Sequence, residues 1–375
     1  MIPITKIFKG ERTEHTARKM GPLFVWNVTS RCNLSCGHCY RDSAPGNQPV
    51  DLTDERCLSL AQEIKSLNPP IVLLTGGEPL LRKNIFDIIK RCKDVGLRVG
   101  LSTNGTLIDE NMAKKISAAG VDYVGISVDG KKESHDRFRG LTGAFDASWQ
   151  GIQYLNEHGV KTGVRFTLTK ANSKDLWDIL DKTVQAGVKR FCLYHLVYAG
   201  RGSADQDMAA QDKRSVMAKF FHKVQEISSR DAQFDVLTTD NPADGIFMLD
   251  LVKDKASAIS CVMSHQGCSA GDRVVYLDST GDVYPCQFLR DCSLGNVLEK
   301  PLMEIWQDTN NPLLRQLRNK KDFLEGKCGV CTHKEICGGC RARAKAYHGS
   351  LWAEDPACYL TEDQLSAGKI KEVLV

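Results

Sequence analysis

From residue 22 to 198, short β-rich apolar runs alternate with amphipathic stretches that end in glycine, the pattern of βα repetition. Runs near Phe24–Thr29, Ile71–Thr75, Arg98–Ser102, Tyr123–Val128, Lys161–Thr169 and Arg190–Val197 predict six parallel strands. The helices between them are expected to stop at Gly96, Gly120, Gly159 and Gly187, where left-handed glycine caps turn the chain into the next strand. Right-handed crossovers curl such a sheet, so the expected fold is α/β, a partial (β/α)6 barrel. Beyond about residue 199 the rhythm stops, and a polar helical stretch, Ala209–Ser229, leads into a cysteine-dense segment. The expected organisation is an extension at 1–20, a barrel at 21–200, a helical bridge at 201–260, a small cysteine-rich domain at 261–360 and a tail at 361–375.

Composition narrows the class. Hydrophobic content of 42% and charged content of 26% over 375 residues are globular values. No run approaches the roughly 18 apolar residues of a membrane span, and no apolar signal core opens the chain, so a cytoplasmic protein is expected, without a membrane partner. Fifteen cysteines in such a chain read as metal ligands rather than disulfides. A net charge of +4 permits an acidic substrate and carries no nucleic-acid footprint.

The candidate chemistry starts just past the first run, at Cys32-x-x-x-Cys36-x-x-Cys39 followed by Tyr40. Three thiolates this close suit one face of a four-iron cluster whose fourth iron stays open; a zinc or redox loop is the competing reading. Ligands in parallel α/β folds collect at the carboxyl ends of strands, and further motifs stand there. The second run ends in Gly76-Gly77-Glu78-Pro79, where small residues allow a close approach and the carboxylate suits an ammonium group. The third ends at Ser102 and Asn104 and the fourth at Ser127 and Asp129, while the fifth carries Arg165 with Asn172 beyond it. Each motif by itself also reads as an ordinary turn. His195 closes the sixth run, either as a substrate ligand or proton donor or as a rim histidine satisfied by backbone.

The cysteine loop with Tyr40, backed by these strand-end motifs, resembles the signature of the radical S-adenosylmethionine (SAM) enzymes. That resemblance implies a 4Fe-4S cluster on Cys32, Cys36 and Cys39 whose open iron binds SAM and cleaves it, by one electron, to a 5′-deoxyadenosyl radical. It implies that Gly76, Gly77, Glu78 and Pro79 meet the amino group of SAM, and that Ser102, Asn104, Ser127, Asp129, Arg165 and Asn172 reach its ribose and carboxylate. Towards the carboxyl end, Cys261, Cys268, a Gly281-x-x-x-x-Cys286 hairpin, Cys328-x-x-Cys331, Cys337-Gly338-Gly339-Cys340 and Cys358 resemble the SPASM extension, which holds two auxiliary 4Fe-4S clusters. By that resemblance Cys261, Cys268, Cys286 and Cys340 form one set and Cys328, Cys331, Cys337 and Cys358 the other. The interval between Cys337 and Cys340 is one residue shorter than the family's, Cys292 competes with Cys261, and a pair of zinc ribbons is the alternative reading. Cys57, Cys92 and Cys192 read as small buried side chains, and Trp306 as helix core.

Longer stretches, among them His135-Asp136-Arg137-Phe138-Arg139-Gly140, Arg165-Phe166-Thr167-Leu168-Thr169 and Tyr198-Ala199-Gly200-Arg201-Gly202, resemble the tetrapyrrole-tailoring branch. This is the branch of haem d1 synthesis and of the siroheme-pathway deacetylase and decarboxylase of alternative haem synthesis. It implies a tetrapyrrole partner losing acetate or propionate side chains, with Arg137, Arg139, Arg165 and Arg201 as candidates to pair with carboxylates, a solvated surface arginine being the alternative reading of each. It also implies an external one-electron donor such as ferredoxin or flavodoxin. A peptide maturase is the second reading, although the roughly twenty residues before the first run are few for a leader-binding domain. A non-catalytic iron–sulfur carrier is the third, and has no use for an open three-cysteine site.

Overall fold

The computed structural model of the chain describes residues 1–11, 20–46, 49–252, 254–264 and 267–366. Parts of the expected amino-terminal extension (12–19) and tail (367–375) lie outside the described residues. One sheet runs through the molecule. Its strands are β1 (Ile2–Pro3), β2 (Leu23–Asn27), β3 (Val72–Thr75), β4 (Val99–Thr103), β5 (Tyr123–Ser127) and β6 (Thr162–Leu168). It continues with β7 (Arg190–His195), β8 (Asp235–Thr239), β9 (Val274–Leu277), β10 (Asp282–Tyr284) and β11 (Gly295–Asn296). The spatial order is β1-β8-β7-β6-β5-β4-β3-β2-β9-β10-β11, with β2 to β8 all parallel.

The six expected strands are present with their ends moved by no more than two residues. Gly96, Gly120, Gly159 and Gly187 have φ of +77°, +69°, +69° and +70°, the left-handed turn that ends each helix. Two features depart from the expectation. The βα rhythm continues once more, because helix Ala210–Arg230 leads to β8, which pairs parallel with β7 inside the expected helical bridge. The cysteine-rich segment is also not a detached unit: β9 pairs parallel with β2, so its hairpin extends the barrel's own sheet.

Side chains alternate across each strand, and the two faces differ in exposure. On the convex side Phe24, Trp26, Val72, Leu74, Val99, Leu101, Val124, Ile126, Val164, Phe166, Phe191, Leu193 and Val236 are buried under the helices. On the concave side Leu73, Ser102, Tyr123, Ser127, Arg165, Thr167, Tyr194 and Thr239 stay partly exposed. The partly exposed side of the sheet is therefore the face that a ligand can reach. Among the described residues no helix is long and apolar enough to cross a membrane. Cys57, Cys92 and Cys192 are buried, and Trp306 is core under the Arg318 guanidinium.

Candidate active site

Residues 28–43 carry Cys32, Cys36 and Cys39 without helix or strand, so something other than a hydrogen-bond ladder must hold them. Three segments do. The Gly-Gly-Glu turn donates Gly77 N–H to Thr29 O and Glu78 N–H to Arg31 O, both at 2.8 Å. A Cβ at Gly76 would lie 2.6 Å from Thr29 O, and one at Gly77 2.3 Å from Arg31 O. The glycines do serve a close approach, but what approaches is the cysteine loop's own backbone. The end of helix Lys132–Arg139 is the second clamp, with Phe138 O accepting from Gly37 N–H (3.0 Å) and Arg139 O from Ser35 N–H (3.3 Å). The third is 198–202: Arg201 N–H donates to Cys39 O (3.0 Å), while Arg201 Nε reaches Cys36 O at 2.7 Å and Nη2 reaches Ser43 O at 2.7 Å. Gly200, at φ +58°, leaves room for that crossing, since a Cβ there would lie 2.3 Å from Cys39 O.

Cys32, Cys36 and Cys39 cluster around Leu34, the first two buried and the third half-buried. Burial pushes the Cys32 thiol up to about 12, with the Leu34 amide opposing it. Arg139 donates Nη1 to Cys36 Sγ at 3.6 Å and pairs through Nη2 with Asp129. Tyr40 is turned towards Thr75 on the concave side and meets the edge of Phe288 at 5.5 Å.

The remaining expected site residues divide. Ser102, Ser127 and Arg165 line the concave face; Arg165 donates Nη1 to Ser102 Oγ, and its buried Nε has no partner among the described residues. Gly125 makes this possible, because a Cβ there would meet Arg165 Nε at 2.2 Å. Glu78 is fully buried, its carboxylate accepting from Thr103 Oγ1 (2.8 Å), Asn104 N–H (2.9 Å) and Leu80 N–H (3.2 Å). Pro79 opens the short helix that Glu78 caps. Asn104 Nδ2 donates to Asn33 Oδ1 at 2.9 Å and braces the cysteine loop. Burial works against the Asp129 charge, but Arg139, His38 and the Thr167 amide hold its carboxyl below the usual range. Asn172 Nδ2 donates to Asp129 O (2.9 Å) and Thr167 O (2.8 Å). The side chains of Glu78, Asp129 and Asn172 are thus engaged within the protein.

Two expectations are corrected. His195 is not on the concave face: it follows Phe191 and Leu193 on the buried side of β7, where Nε2 meets Asp244 Oδ2 at 2.9 Å. Asp244 Oδ1 in turn accepts from the Tyr359 hydroxyl at 2.5 Å, so a carboxylate, not backbone, holds Nε2 of this histidine, and its buried Nδ1 has no partner among the described residues. Arg139 and Arg201 are committed to the cysteine loop and not to a substrate carboxylate; Arg137 is exposed.

The carboxyl-terminal cysteines fall into two groups. Cys328, Cys331, Cys337 and Cys358 line one cavity together with Lys327, Lys334 and Asp355. Cys286 and Cys340 pack with Cys268 and Cys292 around Leu289. Gly338 (φ +63°) and Gly339 (φ +57°) form two consecutive left-handed residues that deliver Cys337 to one group and Cys340 to the other. Cys261 sits on helix Lys255–Ser264 within the main core, and Cys292 Sγ receives Lys345 Nζ at 3.1 Å. Sequence reasoning missed the arginines that bolt this region down. Arg343 is fully buried and grips Asp355 with Nε (2.7 Å) and Nη2 (2.9 Å), while also reaching Leu196 O and Asp240 O. Arg341 donates to Cys328 Sγ at 3.6 Å, and Arg41 pairs with Asp278 beyond β9. Arg341 directly follows Cys340, while Arg41 lies two residues past Cys39 and Arg343 three past Cys340; that closeness to cysteines was the available signal.

Among the described residues no three His, Cys, Asp or Glu side chains close on the position of a single metal ion. A four-iron cluster spreads its ligands, one to each iron. A Radical SAM superfamily profile matches residues 26–183, and an iron-sulfur cluster-binding domain profile (SPASM) matches 268–332. Fe-coproporphyrin III synthase of Methanosarcina barkeri is 38% identical over 92% of this chain and 89% of its own length. The chain belongs to the radical SAM superfamily. This radical SAM enzyme is also similar to pre-heme d1 synthase of Dinoroseobacter shibae, 36% identical over 91% of this chain and 86% of that protein. PqqA peptide cyclase of Methylocella silvestris is more distant, 26% identical over 90% of this chain and 87% of that one. The crystal structure of Streptococcus suis SuiB bound to precursor peptide SuiA shares the fold, with a TM-score of 0.73 and 20% identity over 95% of this chain and 78% of that one. As a radical SAM enzyme the chain uses a 4Fe-4S cluster and SAM, and its SPASM region carries iron–sulfur binding beyond the barrel.

Proposed function

We infer that this enzyme removes or modifies acetate or propionate side chains of a siroheme-derived tetrapyrrole, on a path to haem or haem d1, in the cytoplasm. The observation that carries the reading is the clamped three-cysteine loop beside a sheet face that also carries the Arg165 guanidinium, braced by Ser102. Identities of 38% and 36% to proteins named for tetrapyrrole synthesis, against 26% for a peptide cyclase, favour this substrate over a peptide.

The residues fit the cofactor by their chemistry: three thiols on one clamped loop, one receiving a guanidinium N–H. Bound there, the cluster and SAM supply a primary carbon radical able to take hydrogen from an unactivated position. The chain's own part is placement. Arg201, Gly77 and the end of helix Lys132–Arg139 fix the loop, and Ser102, Ser127 and Tyr40 line the space beside it. Arg165, braced by Ser102, brings its positive charge to a carboxylate in that space. The two carboxyl-terminal cysteine groups hold auxiliary clusters that pass an electron to or from the substrate, with ferredoxin or flavodoxin as the external donor.

The test is anaerobic incubation of reconstituted enzyme with dithionite, SAM and either didecarboxysiroheme or Fe-coproporphyrin III, following 5′-deoxyadenosine and tetrapyrrole mass together. Side-chain mass loss in step with 5′-deoxyadenosine is expected, and its size names the reaction. Deoxyadenosine with neither tetrapyrrole changed overturns the substrate and leaves the radical chemistry standing, with a peptide next in line.

A further inference from the structure

Arg139 has a position that holding the loop does not require. The loop's backbone is already fixed by the main chain of Gly77, Glu78, Phe138, Arg139 and Arg201 and by the side chain of Arg201. The Arg139 guanidinium instead lies buried between Cys36 Sγ, at 3.6 Å from Nη1, and the Asp129 carboxylate. Burying such a pair carries a desolvation penalty, and here the buried cation is set against a cysteine sulfur of the loop. Asp129 is itself fixed from three sides: Thr167 N–H donates to Oδ1 at 2.6 Å, Asn172 holds its carbonyl, and its own N–H donates to His135 Nδ1 at 3.0 Å. The side chain that touches the sulfur is therefore aimed there by a rigid support.

We propose that Arg139 is a positioning residue that sets the reduction potential of the cluster on Cys32, Cys36 and Cys39, its N–H and charge at Cys36 favouring the reduced state, with Asp129 offsetting that charge. Reduction adds one negative charge to the iron–sulfur core, and hydrogen bonds and charge at ligand sulfurs tune that step. Loss of the cation disfavours reduction; loss of the neighbouring anion favours it. A residue that only maintained structure would not give shifts of opposite sign. The proposal rests on the three cysteines being the ligands of the SAM cluster.

The experiment is an EPR-monitored redox titration of the full chain, reconstituted anaerobically, without SAM. The relevant signal is identified by its loss in a variant with Cys32, Cys36 and Cys39 all changed to alanine. Arg139→Gln is expected to lower the ratio of reduced to oxidised cluster at a fixed potential about tenfold, about 59 mV for a one-electron couple. Arg139→Lys is expected to recover part of this, and Asp129→Asn to shift the potential upward. Should Arg139→Gln fail to hold the cluster, Arg139→Lys and Asp129→Asn carry the test, since their shifts are still expected in opposite directions. Unmoved potentials, or shifts of the same sign for the arginine and aspartate variants, overturn the proposal. Survival of the signal in the triple cysteine variant overturns the ligand assignment instead, which keeps the two failures apart.

Discussion

Arg343→Met removes a buried bolt between the cysteine-rich region and the barrel. Both partners of the Arg343 and Asp355 pair are essentially without solvent contact, and the pair is bidentate at 2.7 and 2.9 Å. The same guanidinium satisfies Leu196 O and Asp240 O, each at 2.9 Å, at the ends of β7 and β8. Truncating one member of such a pair leaves the other charge buried, which costs about 3–5 kcal/mol. The Asp355 carboxyl offers a second measure. Burial penalises its charge, but Arg343 and the Cys340 and Ala357 amides hold it at about 2 instead of 3.8. A folded pKa below the unfolded one stabilises above pH ~4 and is lost as pH falls through ~2, a contribution of roughly 2 kcal/mol. The smaller figure is expected, because protonation removes the charge whereas truncation strands it. Urea unfolding under anaerobic conditions, followed by the fluorescence of buried Trp26 and Trp306, measures the loss. Changing Asp355 to asparagine as well should recover part of it, since no buried charge is left over. A single-variant loss below about 1 kcal/mol, or a double variant as unstable as the sum of the singles, would refute the reasoning.

Further outcomes follow from the loop and its supports. Burial raises the Glu78 carboxyl from 4.5 to about 7 against the pull of the Asn104 amide and Thr103 hydroxyl. The unfolded chain then loses that proton first, so the group lowers stability progressively from pH ~4.5 to ~7, by roughly 3 kcal/mol in all, and by a constant amount above. Glu78→Gln should flatten that slope in unfolding midpoints taken across this range; an unchanged slope means the carboxylate is ionised throughout. Gly77→Ala sets a Cβ against Arg31 O, 2.3 Å away, so it should displace the loop and lose the SAM-cluster iron, read as iron per chain with the auxiliary complement retained. Alanine at Cys32, Cys36 and Cys39 together should abolish 5′-deoxyadenosine formation while leaving auxiliary iron bound; continued formation means the active cluster is elsewhere.

The sequence by itself determined what depends on local pattern. Periodicity and glycine caps located β2 to β7 because alternation and left-handed φ are properties of neighbouring residues. The cysteine spacing marked the loop because ligands of one cluster can be close along the chain. What tertiary structure decided is which long-range partner each polar side chain meets. Arg139 and Arg201 read equally well as substrate ligands until the loop is seen lying across them, and His195 reads as a site residue until the register of β7 sends it to the buried face. Gly76 and Gly77 signalled a close approach without saying to what, since that neighbour lies some 45 residues earlier, at 29–31. The β8 strand and the parallel pairing of β9 with β2 were illegible for the same reason: a strand's place in a sheet is set by its neighbours across the fold.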